Sequence, residues 1–359
     1  MKTFLHSKLL ITLLFFLLST SCSDPLPAPP DYNITLYAAT YAKGIYETSN
    51  GGKSWYPLDL DQKDLHHYFK RIYLDPGNKD LMYVTTTGGG LYQINLLQAS
   101  IEKRASLSDE NINSIAFLKR SPPERKSDLI LMGFSNLGIL RTISDYEVWQ
   151  PFNQGLSYRD VNVVFTHEDD MYAGTANDFF KYENSSQKWI SISNGIKNKN
   201  IYSIGINSKE KTIYVGSGAY AGGKGRFEEI PCLYRSSDEG LTWSASDKGI
   251  PGGTLIYCIA VNEKKPERIY LGTSDGIYRS INNGDTWKKR EQGLPKNFRV
   301  LDIKIAEMND GSDVVYAAGN RGVYMTVDDE KTSWIGKSYD LPQTLITSIL
   351  ISPEGASRD

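Results

Sequence analysis

Ser236-Ser237-Asp238-Glu239-Gly240-Leu241-Thr242-Trp243 reads S-x-D-x-G-x-T-W, and the rest of the chain repeats it in increasingly worn copies. Asp238 is placed to accept backbone N–H bonds in a tight turn, and Gly240 can adopt the positive φ that such a turn demands. Thr242 and Trp243 then begin a strand, with the indole available to cover the outer edge of a sheet. Thr48-Ser49-Asn50-Gly51-Gly52-Lys53-Ser54-Trp55 and Ser280-Ile281-Asn282-Asn283-Gly284-Asp285-Thr286-Trp287 keep the pattern with asparagine in the aspartate position. Val327 to Trp334 is a copy shifted or expanded by a residue, and the copies ending at Trp149 and Trp189 keep little beyond the tryptophan.

Working outward, the six tryptophans Trp55, Trp149, Trp189, Trp243, Trp287 and Trp334 are spaced by 94, 40, 54, 44 and 47 residues, and 94 is two repeats of 47. One copy between residues 55 and 149 has therefore lost its tryptophan. Two more columns fill the gap. A tyrosine-centred strand recurs as Tyr37, Tyr83, Leu131, Tyr172, Tyr214, Tyr270 and Tyr316, usually with Gly or another small residue two positions on. A second strand recurs from Gly44-Ile45-Tyr46 through Asp178-Phe179-Phe180 to Gly322-Val323-Tyr324. Each column has seven members, which makes seven repeats.

A further strand precedes six of the tyrosine strands, from Arg71-Ile72-Tyr73-Leu74 to Asp302-Ile303-Lys304-Ile305. The first repeat has none, and the missing strand stands at the other end as Ser348-Ile349-Leu350-Ile351. The C-terminus would then complete the first blade and leave no open sheet edge. Residues 34–353 divide into seven lengths of about 46 residues, enough for four short strands and their turns. The expected architecture is all-β: a single seven-bladed β-propeller closed by a C-terminal strand.

The turn pattern resembles the Asp-box, or bacterial neuraminidase repeat, of β-propeller blades. The chain is similar to Asp-box propellers such as the photosystem II assembly and stability factors and the sortilin ectodomain. That resemblance covers the whole propeller and implies structural roles for Asn50, Asp238, Gly240, Trp243, Asn282, Gly284 and Trp287. It specifies a fold, not a ligand.

Residues 1–21 read as a targeting segment: Lys2 and Lys8 supply a positive start, and Leu9 to Leu18 is apolar apart from Thr12. About ten apolar residues are too few to span a bilayer, which takes roughly 20. Ser19, Thr20 and Ser21 lead to Cys22, a small-residue run that looks like a bacterial lipobox and implies lipidation of Cys22. It departs from the usual pattern, since Leu18 lies four residues before the cysteine rather than three. An ordinary cleaved secretory signal is the alternative. Residues 22–33 carry four prolines between Pro25 and Pro30, a stiff spacer suited to a tether, and residues 354–359 form a tail. The expected address is a bacterial cell envelope, outer membrane rather than inner.

Removing Lys2 and Lys8 from 40 basic residues leaves 38 against 42 acidic ones, a net charge of −4, which offers no nucleic-acid-binding surface. Cys232 and Cys258 fall on non-equivalent strands and read as buried apolar residues rather than a disulfide. His66, His67 and His167 form no ligand cluster, so neither a metal nor a cofactor is expected. The inner-strand column Arg71, Ser114, Asn162, Ser203, Cys258, Asp302 and Ser348 is mostly small, with Arg71 and Asp302 as the members that either face the channel or pair. The linkers Asn153-Gln154-Gly155-Leu156, Asn194-Gly195-Ile196, Lys248-Gly249-Ile250-Pro251, Gln292-Gly293-Leu294-Pro295 and Asp340-Leu341-Pro342 would line one face of the ring near that channel. Blade five breaks the regularity: Tyr214 and Tyr234 are 20 residues apart, and the insertion carries Tyr220, Lys224, Arg226 and Phe227 as cationic and aromatic contacts.

Two functions compete. The first is a membrane-tethered, extracytoplasmic, non-catalytic module that binds or assembles protein or glycan partners. The alternative is a glycoside hydrolase, since sialidases and xyloglucan-cleaving enzymes also carry these boxes. Against it stand the missing Arg-Ile-Pro tripeptide and Asp302 as the only plausible inner-strand carboxylate.

Overall fold

The computed structural model describes residue 28 and residues 32–60, 68–104, 110–118, 129–142, 148–218, 230–308, 311–329 and 331–352. They form seven four-stranded antiparallel sheets, the blades of a seven-bladed β-propeller, with no helix among the described residues. Blade one has the strand order Ile346–Ile351, Leu36–Thr40, Ile45–Thr48, Tyr56–Pro57, so the C-terminal strand supplies its inner edge. Ala39 pairs with Ser348 and Leu36 with Ile351 across nearly the whole chain, closing the ring.

Each blade buries both faces against its neighbours, and the core is therefore seven seams. In one, Tyr172 and Phe179 of blade four pack with Ile201, Ile204, Val215 and Trp243 of blade five. Near the axis the blades converge, which explains the small residue two places after each tyrosine. A Cβ on Gly174 would stand 2.7 Å from Ile201 Cγ2, and one on Gly216 would stand 2.6 Å from Ile256 Cβ.

The tryptophans do more than cover an edge. Trp189 Nε1 donates to Phe152 O at 2.7 Å, Trp287 Nε1 to Ser246 O at 2.5 Å and Trp55 Nε1 to Lys337 O at 2.6 Å. Each acceptor lies in the preceding blade, so each indole is a staple across a seam. The linker turns also belong to the seams rather than to the channel. Trp287 N donates to Lys248 O at 2.9 Å, and a Cβ on Gly249, at φ +101°, would stand 2.2 Å from Trp287 O. Only glycine fits there.

The inner strands hold a regularity that the sequence columns missed. All seven carry a β-bulge near their start, one residue of which drops out of the pairing with the second strand. In blade four Val163, not Asn162, faces Gly174, just as Ser114 faces Gly133 and Ser203 faces Gly216. Asn162 therefore leaves the column predicted for it and joins Lys70, Asn113, Tyr202, Tyr257, Leu301 and Thr347 as the bulged residue of its strand. A bulge redirects the side chain it displaces.

Candidate functional site

All seven bulged residues line one cavity of about 600 Å³ at the mouth of the central channel. Tyr41, Thr87, Ser135 and Asn136 join them from the turns between second and third strands, and Asp160 from an inter-blade linker, which identifies the linker face of the ring. Lys70 Nζ donates to Asn113 Oδ1, and Asn113 Nδ2 in turn reaches Val161 O at 2.7 Å. Burial lowers the Lys70 pKa, with Arg71 acting in the same direction and Asp160 opposing. Tyr202 lies against Gly218, where an added Cβ would stand 2.3 Å from the ring. Its hydroxyl is pushed up by burial, then by Asp160 and Tyr257, and stays protonated at neutral pH. Tyr41 stacks on Tyr68 with ring centroids 4.4 Å apart, and both rings are exposed.

Deeper in, Arg71 and Asp302 both line the channel; Arg71 acts on Asp302 through its charge, while the close ion-pair partner of Asp302 is Lys304. Asp302 Oδ2 accepts from Ser348 Oγ at 2.8 Å and Ile349 N at 3.0 Å, and Lys304 Nζ donates to Oδ1 at 3.0 Å. Burial works to raise this carboxyl; Lys304, Arg71 and the Ser348 hydroxyl outweigh it and hold it below the usual carboxylate range. Burial and the adjacent Asp302 push the Cys258 thiol up to about 12, which removes it as a nucleophile at neutral pH. Cys232 and Cys258 are both free and buried.

The opposite end of the channel differs in kind. A cavity of about 910 Å³ is lined there by Phe165, Ile206, Ile259, Val261 and Ile305, rimmed by His167, Glu263 and Glu307. Among the described residues, no group of three His, Cys, Asp or Glu could hold a metal ion.

The S-x-D-x-G-x-T-W turns are filled by their own hydrogen bonds. Asp238 Oδ1 accepts from Thr242 N at 2.9 Å and Ser236 Oγ at 2.7 Å, while Oδ2 accepts from Thr242 Oγ1 at 2.5 Å. The Thr242 bonds, led by its side chain, hold the Asp238 carboxyl down at about 2. Asn282 Oδ1 accepts from Thr286 N at 3.1 Å and Asn50 Oδ1 from Ser54 N at 3.1 Å, and each carboxamide donates to the following hydroxyl. Gly240 and Gly284 sit at φ +93° and +77° in these turns. In the expanded seventh copy Asp329 takes the turn's bonds from Thr332, and Asp328 becomes a buried ion-pair partner of Arg279, 2.7 Å away in blade six. A cavity of about 540 Å³ on that outer seam is lined by Arg279, Arg290 and Trp334, and Arg290 is already bonded to Thr332 O.

Cys22, His66, His67 and the insertion residues Tyr220, Lys224, Arg226 and Phe227 lie outside the described residues. The insertion occupies, in blade five, the same connection that carries Tyr41, Thr87 and Ser135 elsewhere. What the sequence did not reveal is the bulge, because a one-residue slip leaves the hydrophobic alternation intact.

Comparison with known proteins agrees on the fold. No protein-family model matches the chain, and no curated protein matches it. Among solved structures it resembles the extracellular domain of a hybrid two-component system protein from B. thetaiotaomicron, at 12% identity and TM-score 0.59, covering 88% of this chain and 46% of that one. It resembles the GH74 xyloglucanase from Xanthomonas campestris at 14% identity and TM-score 0.60, covering 87% of this chain and 54% of that one. YCF48 bound to D1 peptide aligns at 14% identity and TM-score 0.53, over 84% of this chain and 98% of that one. The chain thus spans about half the length of the first two. Identities this low establish a shared propeller, and the set contains both an enzyme and a peptide-bound protein.

Proposed function

We propose that this chain is a non-catalytic binding or assembly module of the bacterial cell envelope, tethered by a lipid on Cys22. In this reading residues 1–21 are the signal, 22–33 the tether and 34–353 an Asp-box propeller with a short tail, at the outer membrane. The partner is a protein or a glycan held on the linker face. One observation carries the reading: seven bulges turn seven side chains into one mouth, and several of them are unspent. Tyr202 and Tyr257 make no side-chain hydrogen bond with the described residues, whereas the outer turns are saturated. YCF48, a propeller of similar length with a peptide bound, supports a protein partner.

The glycoside hydrolase reading draws on the GH74 likeness. Such enzymes use two carboxylic groups across the scissile bond, one of them kept protonated. Asp302 is instead held ionised by Lys304 and Arg71, which is wrong for a general acid. The test is capture from detergent-solubilised membranes by the intact chain, by Tyr202→Ala/Tyr257→Ala, and by a variant lacking residues 219–229. A partner retained by the intact chain and lost by the tyrosine variant is the expected result, and the deletion reports whether Tyr220, Lys224, Arg226 and Phe227 contribute. Equal capture by all three forms, or release of reducing ends from xyloglucan by the purified chain, would overturn the reading. Cys22→Ala should move the protein from the membrane to the soluble fraction.

A further inference from the structure

We infer that the channel mouth is a receptor for a single carboxylate group, gripped by Arg71 and Lys70; this rests on the binding reading above and names the chemistry of what is bound. Arg71 lines both the mouth cavity and the one beneath it, and so stands at the floor of the mouth. A guanidinium offers five N–H donors. Arg71 directs none of them into a hydrogen bond or close ion pair with any described residue. The opposite charge that it feels is Asp302, whose two oxygens are already bonded by Lys304, Ser348 and Ile349. Lys70 keeps donors beyond its bond to Asn113, and Tyr202 and Tyr257 line the same space with no hydrogen-bond partner for their hydroxyls among the described residues. Acceptors line the mouth as well, on Asp160, Ser135 and the asparagines, but the group at its floor, Arg71, is donor-only and directs its donors at no described residue, so it calls for an acceptor.

Charge decides which one. Lys70, Arg71 and Lys304 against Asp160 and Asp302 leave one positive charge over the mouth and the cavity directly beneath it. A monoanion neutralises it; a phosphate monoester, with nearly two charges, would leave the narrow site negative. A carboxylate is monoanionic and planar, and it accepts two parallel bonds from one guanidinium. The free C-terminus of a peptide and the acid group of a uronic sugar both carry this chemistry, and the experiment separates them.

Isothermal titration of the full chain in detergent uses four probes: N-acetyl-trialanine, its C-terminal amide, galacturonic acid and galactose. One acid at least should bind about tenfold more tightly than its neutral partner. Arg71→Gln should cost that acid about tenfold, and Tyr202→Phe, at a half-exposed residue with no hydrogen bond to lose, about two- to fivefold. The pair that discriminates identifies the source. Acid and neutral probes binding alike, no acid binding at all, or Arg71→Gln binding normally would overturn the inference. Should Arg71→Gln fail to fold, Tyr202→Phe and Lys70→Gln carry the same decision. A membrane partner that Tyr202→Ala/Tyr257→Ala loses, but that no acid displaces, would leave the binding reading standing and remove only the carboxylate; no partner and no acid binding would remove both.

Discussion

The outer turns and the channel mouth are built from the same repeat, seven times over, yet their polar groups have opposite fates. At the rim, Asp238, Asn282 and Asn50 satisfy the turn that contains them, and the next residue of note, the tryptophan, is bonded to the blade before it. At the axis, Lys70, Tyr202 and Tyr257 are displaced from the pairing by bulges and line the open mouth. At the rim six of the seven copies keep the tryptophan, and at the bonding position the three well-kept turns differ only as Asp against Asn, because each must make the same turn. Bulged residues at the axis run from Lys70 and two asparagines through two tyrosines to Leu301 and Thr347, since nothing in the fold requires one type there. A repeat's constant column marks what holds it together, and its variable column marks where a ligand would be read.

That contrast can be broken or sharpened by measurement. The largest effect should follow deletion of residues 346–352, which strips the inner strand from blade one and leaves Leu36–Thr40 as an exposed edge; aggregation or loss of cooperative unfolding is expected, and a monomeric cooperative protein would refute ring closure as the source of stability. Trp287→Ala removes a buried staple between blades five and six and should destabilise by about 3–5 kcal/mol in urea unfolding. Asp302→Asn is smaller and depends on pH. Because the folded-state carboxyl lies below its ordinary value, its contribution is present above the unfolded pKa of about 4 and is lost as pH falls through the depressed folded value. The variant should therefore show a flatter decline of stability below about pH 4 than the parent, and parallel curves would mean that Asp302 does not carry the pairing. Tyr202→Ala should leave the urea midpoint nearly unmoved while abolishing partner capture, and an equally destabilising Tyr202→Ala would erase the distinction between rim and mouth. Asp238→Asn should do least of all, because Asn50 and Asn282 already make the same turn; no change in the midpoint is expected.

Much of the fold was legible because tryptophan and tyrosine columns recur at nearly constant spacing, and because the first repeat lacks an inner strand that Ser348-Ile349-Leu350-Ile351 restores. The expanded seventh copy was legible as a shift, though not the division of labour between Asp328 and Asp329, which depends on an arginine contributed by blade six. The linker turns looked like a channel lining and are seam fillers, because glycine at positive φ reads the same whether it faces solvent or a neighbouring tryptophan. The mouth was the least legible part. The seven bulged positions hold Lys70, Asn113, Asn162, Tyr202, Tyr257, Leu301 and Thr347, with no one residue type running down the column, and Asn162 sits one place from where alternation would put it.

The sequence alone determined the number of blades, the closure of the ring and the turn residues, since each of these is a local pattern repeated along the chain. Only the tertiary structure decided which side chains reach the axis. A bulge changes register by one residue without altering composition, and seven such residues become a single site only when the ring brings their strands together.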